Sequence, residues 1–189
     1  MMNNCHDIRR YSPKNDDRFI LDTNIWAYLY CNVPAKKYFI REYSGFFKKI
    51  INSGASIFIS SLILSEFIKI YHQIEFEYLK LKDPMKYVNY KSDYRNTHDY
   101  CVAMKGVKNV LTNNIMKCAK PIDDKFKSIT IEQLIDDVEN CDFNDKYHAI
   151  LAKIENLSLV TNDGDYQSKS INNINIPIYT CNDKLLKPK

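Results

Sequence analysis

The stretch Phe19-Ile20-Leu21-Asp22-Thr23-Asn24 is a short apolar run that ends in a carboxylate. Three consecutive large apolar residues are typical of a strand that is buried on both faces of a parallel sheet. A helix is predicted to follow over residues 23–30, so Asp22 stands at the carboxyl end of the strand. Ligands of open parallel sheets bind beyond the carboxyl ends of the strands. The stretch therefore predicts both a fold class and the edge of the sheet where a functional site would lie.

Strand-like and helix-like segments alternate along the rest of the chain. Further strands are predicted at residues 57–59, 128–129, 157–161 and 176–180, and further helices at residues 34–51, 62–82, 92–119, 130–139 and 144–155. This alternation predicts a three-layer α/β/α sandwich with a central, mostly parallel sheet. Extra helices over about residues 84–119 are predicted between the second and third strands. Residues 1–17 are predicted to be a flexible N-terminal arm, and residues 18–189 a single domain.

The composition is that of an ordinary soluble globular protein. The chain has 189 residues, of which 45% are hydrophobic and 26% are charged, and its net charge is +4. These values exclude wholesale disorder and collagen-like repeats, and a mildly basic surface is compatible with nucleic acid binding. The six cysteines are scattered without a CxxC pair, and the polar start has no apolar leader segment. We therefore expect reduced thiols, a cytoplasmic location and no membrane association.

Carboxylates from four separate segments are predicted to meet at the carboxyl edge of the sheet. They are Asp22, Glu66, Asp145 and Asp163, with Asp142 and Asp165 as further candidates. Such a cluster repels itself unless a counter-charge is present. Oxygen ligands select hard cations such as Mg²⁺ or Mn²⁺, and these cations serve the hydrolysis of phosphodiesters. The pattern predicts a divalent-metal site.

Glu66 is the most informative of these acids. Leu62, Ile63 and Ile70 flank it at one helical turn, so its carboxylate lies in an apolar stripe. A buried carboxylate without a partner costs several kcal/mol. Lys69 lies three residues further along and could pair with Glu66. The pattern leaves an ion pair and a shared metal ion as alternatives.

Several of the acids also have a purely structural interpretation. Asp22 could be a helix N-cap, and the spacing of Asp142 before the next helix favours a cap over a ligand. The sequence Asp163-Gly164-Asp165 could be only a turn. His148, one turn from Asp145, is interpreted as a packed or surface side chain rather than a ligand.

Taken in order, four motifs resemble the PIN-domain family. They are residues 19–24, Ser65-Glu66, Asp142-Phe143-Asn144-Asp145 and residues 159–166. In that family an apolar strand ends in Asp-Thr/Ser-Asn, a helix carries a Glu, a later helix begins near an Asp, and a strand ends in Thr-x-Asp. The resemblance covers about residues 18–181.

The resemblance implies a metal-dependent endoribonuclease that cleaves RNA phosphodiesters with a metal-activated water. The acidic ligands of the family fall on Asp22, Glu66, Asp145 and Asp163, with the supporting side chains on Thr23, Asn24, Thr161 and Asn162. The implied cofactor is Mg²⁺ or Mn²⁺, and the implied partner is single-stranded or structured RNA. Many small bacterial members are VapC-type toxins that an antitoxin protein holds inactive and that often dimerise. An antitoxin and a homodimer are therefore implied partners as well.

Two other functions stay open on the sequence. A PIN-like module could bind RNA or protein without cutting, although the complete set of acids argues against it. A phosphatase or receiver domain also places Asp at a strand end. Phosphatases of the haloacid dehalogenase type, however, need a second Asp where this chain has Asn24. Basic residues that could contact phosphates are Arg9, Arg10, Lys36, Lys37, Lys48 and Lys49.

Overall fold

The computed structural model describes residues 4–135 and 141–187. Within these residues six parallel strands form one sheet. They are β1 (Cys5–Asp7), β2 (Arg18–Leu21), β3 (Ser56–Ile59), β4 (Ala119–Pro121), β5 (Ser158–Val160) and β6 (Ile178–Thr180). Their order across the sheet is β1-β6-β5-β2-β3-β4. The strand order therefore reverses between β2 and β5, which is where open parallel sheets bind ligands.

Helices flank this sheet and confirm the predicted α/β/α sandwich. In the described part of the chain they are α1 (Thr23–Tyr30), α2 (Lys37–Ser53), α3 (Ser61–Lys82), α4 (His98–Val110), α5 (Met116–Cys118), α6 (Ile131–Ile135), α7 (Phe143–Ile154), α8 (Lys169–Ile174) and α9 (Asp183–Leu186). Across the described residues, no helix combines the length and the apolar character that crossing a membrane requires.

Capping residues set several of these helix ends. Ser60 begins α3 by accepting a hydrogen bond from the backbone N–H of Ile63 at 3.3 Å. Gly54 ends α2 in the left-handed conformation, with a φ of 76° that strains other residues. Thr130 and Gln133 exchange hydrogen bonds in a capping box at the start of α6. The helix predicted over residues 130–139 is confirmed at its start, and residues 136–139 lie outside the described residues.

The centre of the sheet is also the centre of the hydrophobic core. Phe19, Ile20 and Leu21 of β2 are completely buried, as is Leu159 of β5. Burying each such side chain stabilises the fold by about 1.5–3 kcal/mol. Strand β2 also pairs with a neighbour on each side. The residue that follows it, Asp22, is therefore attached to a firmly held strand at the centre of the sheet.

The segment between β3 and α6 differs in detail from its prediction. The insertion is helical but divided, with π-helical turns at Tyr90–Tyr94 and Leu111–Ile115 on either side of α4. The strand predicted at residues 128–129 is wrong, because Phe126–Ser128 is a 3-10 turn. The strand that follows the insertion is β4, which pairs with β3 alone. Pro121, predicted to end a helix, lies in this edge strand, where a missing N–H is tolerated.

The N-terminal segment is part of the fold, so its prediction as a flexible arm is wrong. Residues 5–7 form the edge strand β1, which pairs with β6 and places Asp7 opposite Thr180. Ile8 is buried in the main core, and Arg9 forms a two-point ion pair with Asp7. All three residues of β1 are only half-buried. The strand therefore has no apolar run by which the sequence could reveal it.

Replacing Ile8 by Ala is expected to lower the free energy of unfolding by about 2–5 kcal/mol, because it leaves a cavity in a packed core. Urea unfolding followed by the fluorescence of the single tryptophan measures this. The control is Val88→Ala, since Val88 is 64% exposed and its truncation should change the free energy by less than about 0.5 kcal/mol. Equal stability of the two variants would contradict the integration of the N-terminal segment.

Candidate metal centre

Asp22 lies at the carboxyl end of β2 and begins α1. The strand register aligns Asp22 in one row with Thr161, Thr180 and Asp7 at this edge of the sheet. Its Oδ1 accepts a hydrogen bond from the backbone N–H of Thr23 at 2.6 Å, which confirms the N-cap interpretation. Its Oδ2 accepts from Thr161 Oγ1 at 2.6 Å and from Asn24 Nδ2 at 2.7 Å. Three of the roughly four acceptor positions of the carboxylate are thus occupied, and one stays open to a ligand.

The hydroxyl of Thr161 connects two of the predicted acids. It donates to Asp22 Oδ2, and it accepts a hydrogen bond from the backbone N–H of Asp163 at 3.0 Å. Thr161 is completely buried. One hydroxyl therefore fixes both the carboxylate of Asp22 and the backbone from which Asp163 projects.

Three further carboxylates lie close together. Asp145, Asp163 and Asp165 each place one oxygen within 4.8 Å of the other two. Asp163 and Asp165 belong to the loop after β5, where Asp163 Oδ1 accepts from the backbone N–H of Asp165 at 2.9 Å. Asp145 comes from the first turn of α7. Asp22 and Glu66 are not part of this triple.

Glu66 is held at both of its carboxylate oxygens. Thr23 Oγ1 donates to Oε2 at 2.8 Å, and Asn144 Nδ2 donates to Oε1. Because Thr23 adjoins Asp22 and Asn144 adjoins Asp145 in the chain, these two bonds draw Glu66 toward the other acids. Lys69, the alternative partner, forms no ion pair with Glu66 among the described residues.

Burial raises the pKa of two carboxyl groups in the cluster. It raises the pKa of Asp22 to about 7, although the hydrogen bonds from Thr161 and Thr23 act in the opposite direction. It raises the pKa of Asp145 to about 8, and the negative charges of neighbouring carboxylates, Asp22 first, raise that pKa further. The fold therefore holds like charges together where water screens them poorly.

The donor set fits a hard divalent cation. The acids offer only carboxylate oxygens, the ligands that Mg²⁺ and Mn²⁺ prefer. Among the described residues, no ion pair joins a lysine or arginine to Asp22, Asp145, Asp163 or Asp165. A divalent cation would supply the counter-charge that this part of the chain does not provide.

The remaining predicted residues have separate places. Asp142 is the N-cap of α7, as its spacing in the sequence predicts. Its Oδ1 accepts a hydrogen bond from the backbone N–H of Asp145 at 2.9 Å. Asn162 donates from Nδ2 to the Tyr28 hydroxyl at 2.9 Å. His148 is packed, as interpreted, at 1% exposure. Its Nε2 lies 3.9 Å from Glu66 Oε2, and neither ring nitrogen has a hydrogen-bond partner among the described residues.

Tyr43 shapes the site, although no role was predicted for it. Its hydroxyl donates to the backbone oxygen of Thr161 at 2.8 Å and accepts from the backbone N–H of Cys181 at 3.2 Å. It thereby joins the ends of β5 and β6. Nothing in the aromatic-rich sequence of α2 distinguishes this tyrosine from its neighbours.

Two other residues near the acids also had no predicted role. Asn144 holds Glu66, and its position beside Asp145 at a helix start was the available signal. Tyr166 is completely buried beside Asp145 and lowers the pKa of that carboxyl group, although its hydroxyl makes no well-aligned hydrogen bond among the described residues.

A family model described as PIN domain matches residues 19–171, most of the chain. The chain belongs to the PIN-domain family. The resemblance of the four motifs is thereby confirmed, and all the predicted acids of this PIN domain lie inside the matched range. Strands β1 and β6 and helix α9 lie outside it. None of the curated proteins compared matches the chain.

PIN domains are in general nucleases, so the membership supports a nuclease-type function for this chain. The acidic triple is a plausible place for the divalent metal that PIN domains typically use.

The metal-free PIN domain is expected to lose stability as the pH rises from about 5 to about 8. Asp22 and Asp145 have folded pKa values of about 7 and about 8, against about 3.9 in an unfolded chain. The folded state therefore holds more protons over this range, and the free energy of unfolding falls. The fall is at most about 1.4 kcal/mol per pH unit for Asp22. Urea unfolding in EDTA at several pH values measures the slope.

The variant Asp22→Asn removes one titrating group and should flatten this slope. The control is Asp16→Asn, which removes an exposed carboxylate in the turn before β2, at the opposite edge of the sheet. It should keep the slope of the unmodified chain. Parallel curves for Asp22→Asn and the unmodified chain would contradict the raised pKa of Asp22.

Proposed function

We propose that this chain is a divalent-metal-dependent endoribonuclease that hydrolyses RNA phosphodiesters. The observation that carries the proposal is the convergence of acids from separate segments at one sheet edge. Asp145, Asp163 and Asp165 lie within 4.8 Å of one another, and Asp22 and Glu66 are tied to the same edge by hydrogen bonds. Family membership supports the nuclease class.

Asp22, Glu66, Asp145 and Asp163 are the residues that would hold Mg²⁺ or Mn²⁺, with Asp165 as a further candidate. When bound, such a cation supplies a Lewis acid that activates water and offsets the charge that grows on a phosphodiester during hydrolysis. No protein nucleophile is needed for this chemistry.

The side chains of the protein prepare the site for that cation. Thr161 orients Asp22 through a buried hydrogen bond, and Thr23 and Asn144 orient Glu66. Supporting hydrogen bonds of this kind are worth about 10–100-fold in metal affinity. Asp145, with a pKa of about 8, holds a proton near neutral pH in the free protein. It must release that proton to become a ligand.

RNA is the proposed substrate because PIN nucleases act on RNA. A role as the toxin of a toxin–antitoxin pair, an antitoxin partner and a homodimer stay predictions of the resemblance. A cytoplasmic location stays a prediction from the scattered cysteines and the polar start of the sequence. A short neighbouring gene for a DNA-binding protein with a disordered tail would favour the toxin role, and an isolated gene would weaken it.

Cleavage of a mixed single-stranded RNA tests the proposal. The unmodified chain should cleave this RNA in the presence of Mg²⁺ or Mn²⁺, and EDTA should abolish the cleavage. Asp22→Asn and Asp163→Asn should each lower the rate by more than about 100-fold, because losing a ligand should exceed the loss of a supporting hydrogen bond. Product lengths on a denaturing gel measure the rate and show whether cuts are internal.

Asp16→Asn is the matched control and should keep full activity. Full activity of Asp163→Asn in the presence of metal would contradict the assignment. RNA that the unmodified chain binds but does not cleave with either metal would favour the non-cleaving module instead.

A further inference from the structure

Two elements outside the family match lie at the same sheet edge as the acids. They are β1, with the turn that follows it, and α9. An ion pair between Arg9 Nη2 and Asp183 Oδ1, 3.6 Å apart, joins these two elements. Strand β6 alone separates β1 from β5. Neighbouring strands lie about 4.8 Å apart, so this flank begins about 10 Å from the strand that leads to Asp163. We call Arg9, Arg10 and Lys184 the basic ledge.

Helix α9 is fastened to the loop that carries Asp163 and Asp165. Asn182, its N-cap, donates from Nδ2 to the backbone oxygen of Asn162 at 2.7 Å. Lys184 follows two residues later, and its stem crosses the loop at Gly164. A Cβ added at Gly164 would lie 3.4 Å from Lys184 Cδ. Lys184 therefore passes over the one residue that separates two carboxylates of the site.

The ammonium group of Lys184 has no hydrogen bond or ion pair among the described residues, and the side chain is exposed. Neither Asp163 nor Asp165 pairs with it, although the stem lies against their loop. An exposed cation that borders an acidic site, and that pairs with no described residue, is available to an anion from outside the chain. The oxygens of a phosphodiester are the anions that a nuclease brings to this place.

Arg10 provides a second available cation on the ledge. Arg9 engages both oxygens of Asp7 at 2.8 Å and donates to the Tyr38 hydroxyl at 2.8 Å, so its guanidinium is already occupied. The side chain of Arg10 is 90% exposed, and its Nε lies 3.9 Å from Asp7 Oδ2. The basic ledge has three cations, and two carboxylates, those of Asp7 and Asp183, lie beside them. The net charge of this group is therefore positive.

We propose that Lys184, assisted by Arg10, binds backbone phosphates of a single-stranded RNA that enters the acidic site from the β6–β1 side. The inference rests on the proposed function, and it adds a direction for the substrate strand. Lys49, a sequence candidate for the same role, lies one turn before the end of α2, which leads into the start of β3. It is therefore at the opposite edge of the sheet.

Binding of a fluorescein-labelled single-stranded oligouridine, followed by fluorescence anisotropy, tests the proposal. All variants carry Asp22→Asn so that the RNA survives in Mg²⁺. Each lost phosphate contact should reduce the salt slope of log affinity by about 0.7. The loss of RNA affinity in Lys184→Ala or Arg10→Ala, relative to the parent, should then become about fivefold smaller for each tenfold rise in salt concentration. Lys184→Arg should restore the slope.

Lys49→Ala is the matched control, because it removes an exposed lysine from the far edge and should bind RNA like the parent. Equal affinities and slopes for Lys184→Ala and Lys49→Ala would overturn the proposal, as would an Asp22→Asn chain that binds no RNA at low salt. The proposed function fails separately, when the unmodified chain cleaves no RNA. A purely structural loss in Lys184→Ala would lower the melting temperature and leave the salt slope unchanged, which would also overturn the proposal.

Discussion

The hydrogen bond from Thr161 Oγ1 to Asp22 Oδ2, 2.6 Å long, joins the carboxyl ends of the two central strands. Both side chains are buried, and the same hydroxyl accepts the backbone N–H of Asp163. Without it, Asp22 would keep a buried carboxylate with one partner fewer, at a cost of about 1–3 kcal/mol. The bond therefore ties Asp22 to the backbone that carries Asp163, two acids that are far apart in sequence and that would face one ion in the proposed metal centre.

Without a bound cation, the cluster of buried carboxylates lowers the stability of the protein. Burial raises the pKa values of Asp22 and Asp145 to about 7 and about 8, which shows that their ionised forms are disfavoured without a counter-charge. Natural proteins accept such local conflicts at functional sites and compensate elsewhere. Here the compensation is the fully buried apolar run of β2, from which Asp22 projects. A divalent cation would turn the same repulsion into binding energy.

The sequence predicted Glu66 from its apolar neighbours, and it predicted the other acids because they mark the boundaries of elements. Asp22 ends an apolar run, Asp163 follows a buried strand, and Asp142 and Asp145 occupy the start of a helix with capping spacing. Such boundaries are local, so residue types and spacing reveal them. The parallel sheet follows from the same alternation of strands and helices.

The parts that the sequence missed depend on contacts between distant segments. Strands β1 and β4 have three residues each and lie at the edges of the sheet, so neither needs an apolar run. Tyr43 and Asn144 act through hydrogen bonds to Thr161 and Glu66 that only the folded backbone brings within reach. The alignment of Lys184 over Gly164 is of the same kind, since it depends on how α9 is fastened to the loop after β5.

Anomalous diffraction from a crystal of the protein soaked in manganese would locate the bound ion directly. We expect a manganese peak with oxygens of Asp145 and Asp163 at about 2.0–2.6 Å, the range of hard-cation coordination, and with Asp22 facing the same ion. Manganese peaks only elsewhere on the protein, with these carboxylates more than about 10 Å from any of them, would contradict a shared metal centre at this edge of the sheet.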